Sequence, residues 1–224
     1  MDADQWMRIG QEALAFLLAA SCPGCDQPGT LLCDRCRQLL EPQPQRLTTP
    51  QGLEVRAAMT FEGVPARSIR RLKEDGATIL ARPLGCAVAG ILGGENRGAV
   101  IAPVPTSWVS FRRRGFRVPE LLIRRAGFES RRTLRPVRRT ADQRGLGRAA
   151  RARNVDGSMR AHPAPRSHAR VVIFDDVVTT GATLDEAARA LRAAGWHPVG
   201  AVALAATARL RGTDPTRSEH TVNW

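Results

Sequence analysis

Val171-Val172-Ile173-Phe174-Asp175-Asp176-Val177-Val178-Thr179-Thr180-Gly181-Ala182-Thr183 is the stretch from which the fold of this 224-residue chain is most directly read. Its first part continues a near-unbroken apolar, β-branched run over residues 170–178, the pattern of a strand buried on both faces. A turn over 179–183 follows, then an amphipathic helix over 184–194 ended by Gly195, and a second apolar strand over 197–206. Strand, helix, strand in that order predict a parallel sheet with a right-handed crossover. Two adjacent carboxylates after four apolar residues are costly to bury, whereas the carboxyl ends of strands in open α/β sheets are where ligands sit. Asp175 and Asp176 are therefore expected to face a site. Beyond them, Thr179, Thr180 and Thr183 supply hydroxyls, Gly181 permits close backbone approach, and the helix start offers free N–H groups and the positive end of its dipole. The layout presents acceptors for a diol and donors for a phosphate, about one sugar apart. The plainer alternative is a Thr-capped helix with a solvated acidic pair.

Working outward, residues 53–61 have the character of a strand, and 68–94 carry helical periodicity broken at Asp75-Gly76. The run Gly98-Ala99-Val100-Ile101-Ala102-Pro103-Val104-Pro105 predicts a short buried strand running into a proline-stiffened loop. A helix is expected over 118–127, with Pro119 in its first turn, and a further short strand over 134–137. Residues 138–170 show no clear period and many arginines, which predicts a long loop, a solvated face, or both. The tail over 209–224 shows no pattern.

Near the amino end, Cys22-Pro-Gly-Cys25 and Cys33-Asp-Arg-Cys36 form two thiol pairs separated by seven residues. Two such pairs can converge on one tetrahedral Zn²⁺, and a unit below about 40 residues needs the metal to fold. A redox dithiol would need only one pair. Four Cys ligands leave no open position, so this zinc is structural, and thiols clustered this way fit a reducing compartment. Cys86 stands apart. A linker rich in Pro and Gln is expected over 41–51. Residues 4–20 place Trp6, Ile9, Ala13, Phe16 and Leu17 at helical spacing; Asp2, Asp4 and Glu12 outweigh Arg8, unlike the positive start of an export signal. A cytoplasmic protein is expected.

Composition narrows the class further. Hydrophobic residues make up 43% and aromatics 4%, and no apolar run approaches the roughly 18 residues of a membrane span. The formal charge is +13, and its excess is local: residues 112–170 hold 18 arginines against four acids, a net +14, which leaves −1 for the rest. A basic stripe attracts polyanions, either nucleic acid or a multiply phosphorylated small molecule. Lys73 is the one lysine beside 33 arginines.

The thirteen-residue stretch resembles the phosphoribosyl pyrophosphate (PRPP) motif of type I phosphoribosyltransferases. With the four-cysteine unit before it, the chain is similar to the ComF family, related to competence proteins of bacteria that take up DNA. Further matches are Leu72-Lys73, Ala102-Pro103-Val104-Pro105, residues 112–116, Thr140-Ala141-Asp142-Gln143, and Arg151 with Asn154, so the resemblance covers about residues 20–207. Where the family usually carries Asn-Gln after Gly115-Phe116, this chain has Arg117 and Val118, and the glutamate often found before Arg151 is Ala150.

The resemblance implies an α/β fold, a type I phosphoribosyltransferase-like parallel sheet flanked by helices, with a small N-terminal four-Cys zinc module. Its divisions would be residues 1–50, 51–208 and a tail from 209. Asp175 and Asp176 would contact the ribose hydroxyls, and Val178, Thr179, Thr180, Gly181, Ala182 and Thr183 would wrap the 5′-phosphate. Val104, Pro105 and Thr106 would form the pyrophosphate loop, Lys73 and Arg114 would join the acids in catalysis, and Arg112 and Arg113 could also neutralise pyrophosphate. Residues 138–154 would close over the reacting centre. The implied reaction transfers ribose 5-phosphate from PRPP, held with Mg²⁺, to an unknown acceptor. The other function implied is a competence factor that binds single-stranded DNA or a competence helicase through the arginine-rich segment and uses PRPP for sensing. Trp108, Phe111, Phe116 and Phe128 lie in or near those arginines and could stack on bases, although apolar packing is their expected job. An oligomer is compatible with either function.

Overall fold

The computed structural model describes residues 21–95, 98–137, 155–166 and 168–207. The expected first helix over 4–20, the loop over 138–154 with Asp142, Gln143, Arg151 and Asn154, and the tail lie outside these residues.

The stretch that opens the sequence reading is the centre of the fold. Strand β6 (Ala169–Val178) lies between β7 (Trp196–Ala206) and β3 (Val100–Pro103), parallel to both. β2 (Glu54–Thr60) runs parallel to β7 on its other side, and β1 (Gln45–Thr48) pairs antiparallel with β2 at the edge. The order is β1-β2-β7-β6-β3. Side chains alternate across β6 with the period of two that a strand imposes. Val172 and Phe174 join one apolar cluster, and Val171 and Ile173 join the other. All four are fully buried, which accounts for the unbroken apolar run.

Helices cover both faces. On one side pack α2 (Gly63–Glu74), α3 (Ala81–Glu95) and α5 (Val118–Arg125), which contribute Ile69, Leu72, Leu84, Val88, Leu122 and Ile123 to the Phe174 cluster. On the other lies α6 (Ala182–Ala193), with Leu184, Ala188 and Leu191 against Ile173 and Ala203. The break expected at Asp75-Gly76 is present: α2 stops at Glu74, Gly76 adopts φ +70°, and a short 3₁₀ turn at Thr78–Leu80 leads into α3. Two short helices complete the described elements, α1 (Asp34–Gln38) in the cysteine unit and α4 (Trp108–Arg114) after β3.

Two expectations are corrected. Residues 41–51 are not merely a linker, because Gln45–Thr48 form β1 and hydrogen-bond in register with Glu54–Ala57. The segment 138–170 is not loop throughout: Met159–Ala161 form β5, an antiparallel ribbon with β4 (Leu134–Pro136). That ribbon is held to α6 by Glu186, whose buried carboxylate accepts from the Met159 N–H at 2.8 Å and from Arg189 Nε at 2.6 Å. Polar composition hid both strands.

α3 and α5 approach most closely at Gly85. A Cβ there would stand 2.6 Å from Arg125 Cβ and 2.9 Å from the Arg125 carbonyl carbon, inside the contact distance of real atoms. Gly85→Ala should therefore force the helices apart and lower the unfolding free energy by about 1–3 kcal/mol, measured by urea denaturation.

Candidate functional site

Burial of β6 forces its polar residues to the end, and there the chain gathers its charges. Asp176 is 8% exposed, and its Oδ1 accepts a hydrogen bond from Lys73 Nζ at 2.8 Å. Lys73 occupies the last turn of α2, whose buried face (Ala66, Ile69, Leu72) fixes the direction in which the lysine leaves the helix. Burial pulls the Lys73 ammonium down, but Asp176 and then Asp175 more than offset it and hold its pKa above the ordinary value. Asp175 has a different environment: burial, then the negative charge of Asp176, pushes its carboxyl up to about 7 despite the nearby lysine. Its Oδ1 accepts the backbone N–H of Asp176 at 2.8 Å. One acid is thus a paired carboxylate, and its neighbour is poised to exchange a proton near neutrality.

Arg114, at the end of α4, joins this cluster. Burial lowers its pKa, opposed by attraction to Asp176, and its Nε is buried without a hydrogen-bond partner. A guanidinium N–H left unpaired away from water costs on the order of 1–3 kcal/mol, which an anion would recover. Arg112 and Arg113 are exposed, and Arg112 lies 4.6 Å above the Trp108 ring. Trp108 is itself 60% exposed, against the expectation that it packs in the core, whereas Phe116 and Phe128 do pack against the core. Arg117 lies 4.0 Å over the Phe111 ring.

The loop from β6 to α6 carries the expected phosphate-binding residues. Gly181 caps the helix at φ +79°, a left-handed conformation that a glycine adopts without steric cost. Thr180 Oγ1 accepts from Ala182 N at 3.4 Å. Thr207 pins the loop from one side, its N–H to the Val178 carbonyl at 3.0 Å and its hydroxyl to the Thr179 carbonyl at 3.2 Å. From the other side comes the β1–β2 turn: a Cβ on Gly181 would stand 3.0 Å from Thr49 Cβ and 3.1 Å from Pro50 Cδ. Thr49 donates its hydroxyl to Asp185 in the first turn of α6, and Gln51 N–H donates to the other carboxylate oxygen at 3.3 Å. Burial raises the Asp185 pKa, partly opposed by these bonds. Nothing in the sequence linked Thr49 to this loop, because 136 residues separate it from Asp185. After β3, Val104 N–H donates to the Phe174 carbonyl at 2.8 Å, which places the residues Val104, Pro105 and Thr106 beside the end of β6. His162 and His168 are exposed, as expected.

At the amino end, the sulfurs of Cys22, Cys25, Cys33 and Cys36 all lie within 4.8 Å of one another. A tetrahedron with bonds of about 2.3 Å has edges of about 3.8 Å. The observed Cys22–Cys33 and Cys25–Cys33 sulfur separations are 3.8 and 3.6 Å, so the donor set fits zinc. Backbone N–H groups of Cys33 and Cys36 point at Cys22 and Cys33 sulfurs at 3.5 and 3.4 Å, as thiolates require. Burial alone would raise the Cys22 thiol, but the amides around it draw it down to about 7. This unit is fastened to the helix that carries Lys73, since Asp26 bonds Arg71 Nη2 at 2.9 Å and lies 3.5 Å from Arg67. A cavity of about 690 Å³ opens between the cysteine unit and α3, lined in part by Leu32, Leu40, Ile79, Arg82 and Cys86; Lys73, Asp175 and Asp176 do not line it.

A family model described as a phosphoribosyl transferase domain matches residues 137–222, the part that holds β5, β6, α6 and β7. Among solved structures, the chain is similar to UMP synthase from Leishmania donovani (20% identity, 62% of this chain, 24% of that one, TM-score 0.35). It is also similar to an orotate phosphoribosyltransferase from Aeropyrum pernix (19% identity, 76% and 80% covered, TM-score 0.36). A third is an adenine phosphoribosyltransferase (12% identity, 79% and 92% covered, TM-score 0.37). The chain spans about a quarter of the length of the UMP synthase. No curated protein matches it closely enough to count as a relative. The family match, with the parallel α/β architecture observed, supports a type I phosphoribosyltransferase domain. No described helix is long and apolar enough to cross a membrane.

The sulfur geometry makes a direct prediction: the purified chain should carry about one Zn per molecule by elemental analysis, and Cys36→Ser should abolish it while exposing apolar surface to a fluorescent dye.

Proposed function

We propose that this protein binds PRPP at the carboxyl end of β6 and transfers its ribose 5-phosphate to a nitrogen nucleophile. The observation that carries the reading is the convergence of Lys73, Arg114, Asp175 and Asp176 on one point beside the β6–α6 loop. In the reaction, the bond from the anomeric carbon to pyrophosphate breaks as a bond to nitrogen forms, and the nitrogen releases its proton. Asp175 and Asp176 accept hydrogen bonds from the ribose hydroxyls, and Lys73 holds the Asp176 carboxylate in place for that task. The unpaired Nε of Arg114 is free to donate to pyrophosphate as negative charge accumulates there. Thr179, Thr180, Gly181, Ala182 and Thr183 hold the 5′-phosphate with hydroxyls and the first-turn amides of α6. Val104, Pro105 and Thr106 flank the pyrophosphate. The paired carboxylates are hard oxygen donors suited to Mg²⁺, which when bound neutralises charge on the pyrophosphate. Membership of the ComF family belongs to the same reading, supported by the four-sulfur cluster joined to this domain. A cytoplasmic setting goes with it, because thiols kept for a metal need a reducing compartment.

A second reading rests on a single feature, the exposed Trp108 with Arg112 stacked on it, in the segment where the positive charge collects. An exposed aromatic among arginines is a surface on which an unpaired base can stack. On this reading single-stranded DNA binds there, with affinity falling steeply with salt, and Trp108→Ala weakens it about tenfold in fluorescence titrations. A flat salt dependence would remove it.

The first reading is tested by thermal shift. PRPP with Mg²⁺ at saturating concentration should raise the melting temperature, and Asp175→Asn combined with Asp176→Asn should abolish the rise. The pH dependence has a definite sign. The raised Asp175 pKa means that the folded state favours the neutral acid, so its contribution to stability is full below about 4 and is lost as pH rises through about 7. Mg²⁺ and PRPP need the ionised form, against the facing Asp176, Lys73 and Arg114. The ligand-induced shift should therefore grow between pH 6 and 8, and Asp175→Asn alone should flatten that growth.

A further inference from the structure

We propose that Thr49 is a positioning residue for the phosphate loop and, acting with Asp185, sets the affinity of that loop for the 5′-phosphate. The inference rests on the PRPP reading and adds to it a residue from the opposite end of the sequence. Thr49 and Asp185 are each 4% exposed, so their contact is shielded from water. The Thr49 hydroxyl is a node: it accepts from Leu53 N–H at 3.0 Å, which closes the β1–β2 turn, and it donates to Asp185 Oδ1. The Thr49 N–H meets the Leu53 carbonyl at 3.0 Å, and the Gly52 N–H meets the Thr49 carbonyl at 2.9 Å, so the turn is stiff where it presses on Gly181. Asp185 N–H in turn donates to the Gly181 carbonyl at 2.9 Å, the first helical bond of α6. Turn, carboxylate and loop thus form one closed circuit around the residue with positive φ.

Two consequences follow for a phosphate. The first-turn amides must be aimed at one point, and a rigid brace behind Gly181 holds them there before the ligand arrives. The Asp185 carboxylate lies within the same turn that would receive the dianion, and its two bonds to the β1–β2 turn tie it to Thr49 and Gln51. Removal of the Thr49 hydroxyl frees a charged group beside the phosphate and loosens the loop together.

The experiment compares two probes on the full chain by calorimetric titration, ribose 5-phosphate and pyrophosphate. Thr49→Val should weaken ribose 5-phosphate binding about fivefold to tenfold, the size of one net hydrogen bond, and leave pyrophosphate binding within about twofold. Thr49→Ser should restore the ribose 5-phosphate affinity. Thr49→Ala, which removes the hydroxyl and leaves the Asp185 carboxylate in place, serves as the second variant if Thr49→Val does not fold, and should likewise weaken ribose 5-phosphate binding and not pyrophosphate binding. A folded Thr49→Val that binds ribose 5-phosphate as tightly as the wild type overturns the positioning role alone, as does equal weakening for both probes. A wild-type chain that binds neither probe overturns the PRPP reading beneath it.

Discussion

The contact between Lys73 and Asp176 is the constraint that organises this molecule. It joins the last turn of α2 to the last residues of β6, two elements with no reason of sequence proximity to meet, across 103 positions. A carboxylate with 8% exposure must have a cation or it stays protonated, and a lysine drawn into the same region must have an anion. Each solves the other's desolvation. The consequence falls on Asp175: with the one lysine engaged by its neighbour, burial and then the adjacent Asp176 push its carboxyl up to about 7. An acidic pair identical in sequence thus becomes two chemically distinct groups, one held in an ion pair with Lys73 and one pushed up to about 7.

The attachment of the cysteine unit serves the same constraint. Asp26 accepts a hydrogen bond from Arg71 and forms an ion pair with Arg67, on the helix whose end presents Lys73. These pairs are about half exposed, so each contributes little to stability, on the order of 0–1 kcal/mol. What they supply is direction. The cysteine unit against one face of α2 and an apolar core against the other leave the helix little freedom to roll.

How much of this could be read from the sequence depends on how local each feature is. β6, α6 and β7 were legible because their burial is expressed as uninterrupted apolar runs and one amphipathic helix, and Asp175 with Asp176 stood out as the polar break in such a run. The cysteine pairs were legible by spacing. β1 was not, because an edge strand with a single buried apolar residue, Leu47, among Gln45, Arg46 and Thr48 looks like a linker. β5 was hidden for the same reason, with an exposed Arg160 at its centre. Trp108 was misjudged because an aromatic residue usually packs, and only the fold shows that α4 leaves no residue buried. The tie between Thr49 and Asp185 had no sequence signal at all: a threonine before a proline and a helical aspartate each have ordinary local explanations. Long-range polar contacts between common residue types become visible only when the sheet brings them together.

The charge balance of the site explains where the remaining positive charge belongs. Asp175 and Asp176 face Lys73 and Arg114, two acids against two bases, so the centre itself is close to neutral when Asp175 ionises. A neutral centre fixes hydroxyls and orients a leaving group, but it has little attraction for a polyanion at a distance. Residues 112–170 carry a net +14 in the sequence, and among the described ones Arg112 and Arg113 are exposed next to Arg114. Segregating the two tasks has a physical advantage. Had the cations been packed around the acids, each would have been neutralised by its neighbour or driven from its charged state by burial. Placed outside, arginines such as Arg112 and Arg113 stay exposed to solvent, apart from the groups whose geometry the core has already fixed.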